Sequence, residues 1–185
     1  MKTPIAVISG RFQVLHKQHL EYIRLAMSNT EHLIIGITNQ NPIIKVESNQ
    51  EDPNRTNLRN NPFSYYERYM MIKNTILEDG YLPEQFDIVP FPIEEPNYLK
   101  NYIPKNAIHF LTIYDDWGRK KKQILEDAGF FVEVLKDCPF NEKYICSTHI
   151  RNLISNDQEW ENLVPNSVYK YIIENKLEQR IKSNS

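Results

Sequence analysis

The chain carries only two cysteines, Cys138 and Cys146, and their spacing matches no zinc site. A disulfide framework is not expected, and a reducing, cytoplasmic setting is the default. Charge of one sign is also missing: 22 Lys and Arg stand against 24 Asp and Glu, for a formal net charge of −2. Without a global basic field, nucleic acid is not expected as a partner. No apolar run approaches membrane-spanning length, so no membrane partner is expected either. The N-terminus lacks a basic stretch followed by a long apolar one, which argues against a signal peptide. No internal repeat is visible.

What is present suits one globular domain over residues 1–185. Hydrophobic residues make up 41% and charged residues 25% of the 185, enough for a sizeable core. Apolar runs predict strands at Pro4–Ile8, His32–Ile37, Phe86–Pro90, Ala107–Ile113 and Phe130–Leu135. Helical spacing predicts helices at Lys17–Ser28, Ser64–Glu78, Asp116–Ala128, Thr148–Ser155 and Ser167–Asn175, with a weaker one at Asn97–Ile103. This alternation predicts an α/β fold, a doubly wound parallel sheet followed by C-terminal helices from about residue 148. Ser64 and Glu67 have the spacing of a capping box. Pro165 precedes the last predicted helix, as suits a first turn. The stretch Thr38–Asn60 is rich in Asn, Gln, Ser and Pro, and a loop of that length is functional or disordered. Following the second strand, it is expected to overhang the crevice at the strand ends.

The densest chemistry lies in Gly10-Arg11-Phe12-Gln13-Val14-Leu15-His16-Lys17-Gln18-His19. The run Ile5-Ala6-Val7-Ile8 before it is continuously apolar, as in a strand buried on both faces. Gly10 permits a tight turn and close approach of a ligand. Leu20, Ile23, Ala26 and Met27 then recur at helical spacing, so a helix should begin near Leu15 to Lys17. Its free N–H groups and positive dipole end suit an anion. His16 and His19 share one face of the first turn, and Arg11 adds a fork suited to phosphate. Two histidines at a helix start also occur as surface or locally hydrogen-bonded groups. As a zinc site the pair supplies two ligands, and no nearby carboxylate or cysteine completes a set, so no metal site is expected. The preceding strand, glycine and arginine favour phosphate.

Gly10-Arg11-Phe12-Gln13, followed by His16 and His19, resembles the H-x-G-H signature of the nucleotidyltransferase superfamily. The G-R-F-Q form is similar to nicotinamide mononucleotide adenylyltransferases of the archaeal type. Asn61-Pro62-Phe63-Ser64-Tyr65-Tyr66-Glu67-Arg68 resembles that family's N-P-F-T-x-x-E-R. Cys146-Ser147-Thr148-His149-Ile150-Arg151 resembles the superfamily's S-[ST]-T-x-[IV]-R, and Trp160 to Val168 its closing W-x-x-L-V-P-x-x-V. The motifs come in the family's order and span nearly the whole chain.

The resemblance implies a Rossmann-like nucleotidyltransferase fold and ATP-dependent adenylyl transfer to nicotinamide mononucleotide. The products would be NAD and pyrophosphate, by direct in-line attack on the α-phosphate. It implies that His16 and His19 contact the ATP phosphates and stabilise the transition state, and that Arg151 grips the β- and γ-phosphates. Gly10, Arg11, Phe12 and Gln18 would line the phosphate turn. Ser147 and Thr148 would cap the following helix and donate to the same phosphates. Arg59 lies just before Asn-Pro-Phe, where some family members carry a phosphate-binding arginine, with one residue extra here. Asn61 would contact a nucleotide, while Glu67 and Arg68 would serve as cap and helix-face residues. Mg²⁺ would bridge the ATP phosphates, with most ligands from substrate and water. A homo-oligomer is implied, of no fixed number.

The chain departs from the pattern in places. Gln18 replaces the signature glycine, adding bulk and an amide, and Val14 stands where a proline is usual. In the acceptor segment Pro92–Leu99, Leu99 aligns with a tryptophan that stacks on the nicotinamide ring. Tyr98 and Trp117 are the candidate replacements, with ordinary packing as the alternative. The family's S-G-N becomes Tyr114-Asp115-Asp116-Trp117-Gly118, whose carboxylates would bind ribose hydroxyls or disfavour a nicotinate. Arg119-Lys120-Lys121-Lys122 reads as a solvated helix face, or else as an oligomer contact or phosphate-facing patch. Two other functions stay open: a related transferase using another nucleotide (CTP) or another phosphorylated acceptor, and a non-catalytic nucleotide-binding sensor.

Overall fold

The computed structural model describes residues 2–41, 57–138 and 145–183. The chain divides into two compact units interleaved in sequence. One comprises 1–10, 21–38 and 82–144, the other 11–20, 39–81 and 145–185.

The first unit holds a parallel sheet of five strands among the described residues. They are β1 (Thr3–Gly10), β2 (Thr30–Ile37), β3 (Phe86–Pro90), β4 (Ile108–Ile113) and β5 (Phe131–Asp137), in the order β3-β2-β1-β4-β5. The order reverses between β1 and β4, the switch point of a doubly wound sheet. β1 and β2 stay in register from Thr3↔Thr30 to Gly10↔Ile37, and Thr38 N–H continues the ladder onto the Gly10 carbonyl at 2.9 Å. β1 meets β4 only at Ala6↔Ile108 and Val7↔His109. The two residues that follow these strands, Arg11 and Thr38, thus leave the sheet at one level.

The core gathers Val7, Ile34 and Leu111 from the strands, Leu125 from α3 (Asp116–Asp127), and Phe91, Ile93, Leu99, Ile103, Ala107 and Phe130 from connecting segments. Each such side chain, fully buried, contributes about 1.5–3 kcal/mol. Gly36 is obligatory on β2, because a Cβ there would lie 2.4 Å from the Phe91 ring. Asp115 caps α3 by accepting the Gly118 N–H at 2.9 Å. No helix among the described residues is long and apolar enough to cross a membrane.

Helix α1 (Lys17–Asn29) begins in the second unit and ends in the first. The second unit otherwise holds α2 (Tyr65–Glu78), α4 (Ser147–Ser155), α5 (Asn166–Glu174) and α6 (Leu177–Ser183). The Ser64–Glu67 capping box forms as expected. Burial pushes the Glu67 carboxyl up, but hydrogen bonds from Arg180 and Ser64 outweigh it and hold it below its ordinary value. At the other end of α2, Glu78 accepts the Asn166 amide at 3.0 Å and the Ser167 N–H at 2.9 Å, so the last turn of one helix caps the first turn of the next.

Pro165 immediately precedes α5, as expected, as its N-cap. Several other expectations need correction. α5 is not the last helix: it is followed by α6, which periodicity did not mark. The weak helix at Asn97–Ile103 is a 3-10 stretch, Pro96–Asn101. Ser147 and Thr148 do not cap α4. They lie inside it, and the N-cap is Cys146, whose side chain makes no capping bond. Of the loop expected at Thr38–Asn60, residues 42–56 lie outside the described residues.

Candidate active site

The second unit brings the motif residues together. Phe12 turns the chain after β1 with a φ of 53° and is 2% exposed. A left-handed non-glycine residue costs on the order of 1–3 kcal/mol and is held by its surroundings. Gln13 supplies part of that hold. Its amide pairs with the Phe63 main chain in both directions, donating to the carbonyl at 2.9 Å and accepting the N–H at 3.0 Å. The buried Gln13 side chain thereby ties the N-P-F motif to the turn after β1.

His16 and His19 form one object. Their rings stack with centroids 3.6 Å apart and planes 20° apart. Each Nδ1 accepts the other residue's backbone N–H at 3.3 Å. A ring nitrogen that accepts carries no proton, so in both neutral imidazoles Nε2 is the donor nitrogen. The edge of Phe12 packs on His19 at 5.1 Å and 65°. Gln18, between the two histidines, is 8% exposed and accepts the Ile145 N–H at 3.4 Å. Its amide is thus turned to the chain leading into α4.

Arg151, on α4, is 6% exposed. It donates to the Gln13 carbonyl, to Asn60 Oδ1 at 2.9 Å and to Thr148 Oγ1 at 3.1 Å. Burial, then the charges of Arg11 and Arg59, push its pKa down to about 10 against the opposing effect of Cys146. Ser147 Oγ donates to the Val14 carbonyl at 2.9 Å. Both α4 residues therefore hold the turn between Gln13 and Val14. Arg59 is exposed on the 3-10 turn Leu58–Asn60, which Asn57 caps. Asn61 is 3% exposed, and its amide is engaged by the Asn39 side chain and the Asn57 carbonyl, both at 2.9 Å.

Arg68 is not a helix-face residue. It is 0% exposed and donates to three main-chain carbonyls: Ser64 at 3.2 Å, Arg11 at 3.0 Å and Asn39 at 2.8 Å. Burial, with Arg11 beside it, pushes its pKa down to about 10. Arg11 thus acts electrostatically on two buried guanidinium groups, Arg68 and Arg151.

The residues assigned to the acceptor lie in the first unit, apart from Asn61. Tyr98 is 55% exposed and Trp117 43% exposed. Leu99 is 0% exposed and belongs to the core cluster. Asp115 is spent on the α3 cap, which leaves Asp116 as the exposed carboxylate of the pair. The basic run is divided: Arg119 pairs with Asp137 at 3.2 Å, Lys122 with Glu126 at 2.7 Å, and Lys121 donates to the Ser9 carbonyl at 2.8 Å.

Sequence reasoning did not single out Gln13, Asn39, Asn60 or the burial of Arg68. Gln13 and Arg68 stand inside recognised motifs. Their signal was that position, next to residues whose roles drew attention away.

A family model described as cytidylyltransferase-like matches residues 7–183. The chain is 37% identical over 177 residues to phosphonoformate cytidylyltransferase from Streptomyces viridochromogenes, covering 96% of this chain and 95% of the relative. It is 34% identical over 178 residues to nicotinamide-nucleotide adenylyltransferase from Saccharolobus solfataricus, covering 94% and 92%. Among solved structures, a bifunctional NMN adenylyltransferase/ADP ribose pyrophosphatase from Francisella tularensis matches with a TM-score of 0.70 at 20% identity. That match covers 98% of this chain but 53% of the other, so the chain spans about half of that protein's length, and the likeness is one of fold.

Proposed function

The chain belongs to the cytidylyltransferase-like family of nucleotidyltransferases, and from that premise we propose that it transfers a cytidylyl group from CTP to a small acceptor bearing a phosphonate or phosphate. The acceptor oxygen attacks the α-phosphorus in line. A P–O bond forms there as the bond to the bridging β-phosphate oxygen breaks, and pyrophosphate leaves with the electron pair. The Nε2–H groups of His16 and His19 donate to phosphate oxygens as charge shifts toward the leaving group. Arg11 neutralises the same charge. Arg151 acts first on the turn itself through the Gln13 carbonyl. Mg²⁺ would arrive with the triphosphate, held mostly by phosphate oxygens and water.

The observation that carries the choice of acceptor is Leu99. The position expected to stack on a nicotinamide ring is an aliphatic side chain sealed in the core. An acceptor without an aromatic ring needs no such surface, and the Streptomyces relative is named for one, phosphonoformate.

A second reading, adenylyl transfer from ATP to nicotinamide mononucleotide, is favoured by the Saccharolobus relative and by the exposed rings of Tyr98 and Trp117. The test is a matrix of ATP, CTP, GTP and UTP against phosphonoformate, other small phosphonates and nicotinamide mononucleotide, with Mg²⁺, read by pyrophosphate release. CTP with a small phosphonate should be the best pair. ATP with nicotinamide mononucleotide as best pair establishes the second reading instead. Nucleotide binding with no pyrophosphate from any pair leaves a sensor and removes both.

A further inference from the structure

Arg68 takes no part in the transfer laid out above, yet it is the largest of the fully buried side chains. A guanidinium is seldom hidden without a carboxylate beside it. Here three of its hydrogen bonds go to main-chain carbonyls, and the charge of the neighbouring Glu67 favours it. The Ser64 bond is local to α2. The other two reach Arg11, the first residue after β1, and Asn39, the second residue after β2.

Those two segments hold two of the four left-handed non-glycine residues among the described ones, the others being Asp157 and Lys176. Phe12, joined to the Arg11 carbonyl by one peptide plane, and Asn39 itself each have a φ of 53°. Because the peptide is planar, holding the Arg11 carbonyl also fixes the orientation of the Phe12 N–H and limits where its ring can go. That ring packs on His19. Asn39 in turn donates to Asn61, at the head of the N-P-F motif. One buried side chain therefore holds both of these left-handed residues and, through them, touches an imidazole and a motif.

We propose that Arg68 is a positioning residue, which locks the Arg11–Phe12 peptide and Asn39 in the geometry that lets Arg11 and His19 engage a polyphosphate together. The proposal rests on the phosphate-binding part of the function proposed above. It differs from a purely structural role in one respect: losing Arg68 harms polyphosphate binding more than an equal loss of stability does.

The probe is inorganic tripolyphosphate, titrated by calorimetry against the whole chain. Arg68→Met should bind at least about tenfold more weakly than the unaltered chain, since small misplacements of binding groups are costly. Arg68→Lys keeps the charge but lacks the planar fork that meets carbonyls of three segments, and should fall between them. Met71→Ala, at a 0% exposed site on the same helix, should lower the melting temperature while keeping the affinity. Should Arg68→Met not fold, Arg68→Lys compared with Met71→Ala decides alone. Unchanged affinity in the Arg68 variants, or an equal loss in Met71→Ala, overturns the proposal, as does an unaltered chain that does not bind tripolyphosphate. If that chain binds tripolyphosphate but releases no pyrophosphate in the matrix, the transfer reading fails, and the same affinities still judge Arg68.

Discussion

His16 and His19 are bound to each other through their main chains: each imidazole Nδ1 accepts the partner's backbone N–H at 3.3 Å, and the rings stack at 3.6 Å. The arrangement pre-sets one tautomer in both rings before any ligand arrives. Removing one ring takes away a donor and also releases the other ring from its stack.

His16→Ala or His19→Ala should therefore lower the turnover rate on the order of 10²-fold or more, with a smaller effect on nucleotide affinity. His19→Gln, whose amide nitrogen can stand near the place of Nε2, should retain more rate than His19→Asn, which mimics Nδ1. Steady-state kinetics on the four variants checks this. Equal rates for the Gln and Asn variants would contradict the tautomer assignment, as would ¹⁵N shifts showing Nδ1–H.

Gln18→Gly restores the family glycine. It removes the amide that receives the Ile145 N–H, and it puts glycine in the first turn of α1, at about 1 kcal/mol relative to a good helix former. The melting temperature should fall by several degrees. Thermal unfolding of Gln18→Gly and Gln18→Ala separates the two causes, because the alanine variant loses the side chain's contacts without adding a glycine to the helix.

His109 makes stability acid-sensitive. It is 1% exposed on β4, with the rings of Phe91 and Phe130 beside it, and its Nε2 has no hydrogen-bond partner. Burial, then the charge of Lys121, pushes its pKa down to about 3. The unfolded chain takes up this proton near pH 6.5 and the folded chain only near 3. Stability from this site is thus intact above about pH 6.5 and lost progressively as pH falls through that window. His109→Phe should flatten the decline in melting temperature between neutral pH and pH 4. A parallel decline in both proteins would assign it to other groups.

Gly36→Ala should destabilise by about 1–3 kcal/mol, because its Cβ would enter the space of the Phe91 ring. Denaturant unfolding reads the loss directly. Combining it with Phe91→Leu should recover part of it, as a clash between these two groups requires.

Most of the sheet was legible because buried parallel strands are written as continuous apolar runs. Phe86–Pro90 came out with its observed limits, and the other strands and α1 to α5 within a few residues. α6 was not legible, since Leu177 and Ile181 are its only buried residues and make too short a stripe. At the site, the motifs led to Arg11, His16, His19 and Arg151, and the family follows from them. What they did not convey was direction. An arginine in a phosphate motif reads as a ligand, but Arg151 is turned to Gln13 and Asn60, and Arg68 to carbonyls from two distant segments. Hydrogen bonds to main-chain atoms leave no mark on the partner's residue type. The finer assignment of acceptor was held back by Leu99, whose burial depends on packing from residues scattered between 7 and 130.

β1 is knitted to β2 along its length but to β4 only at Ala6 and Val7. Beyond Val7 the register with β4 ends, and there the Lys121 ammonium donates to the Ser9 carbonyl. One lysine of a basic run thus supplies a hydrogen bond to a strand. Neutralising its neighbours Arg119 and Lys120 would alter only the surface. Replacing Lys121 would instead remove a hydrogen bond from Ser9, one residue before the glycine that ends β1.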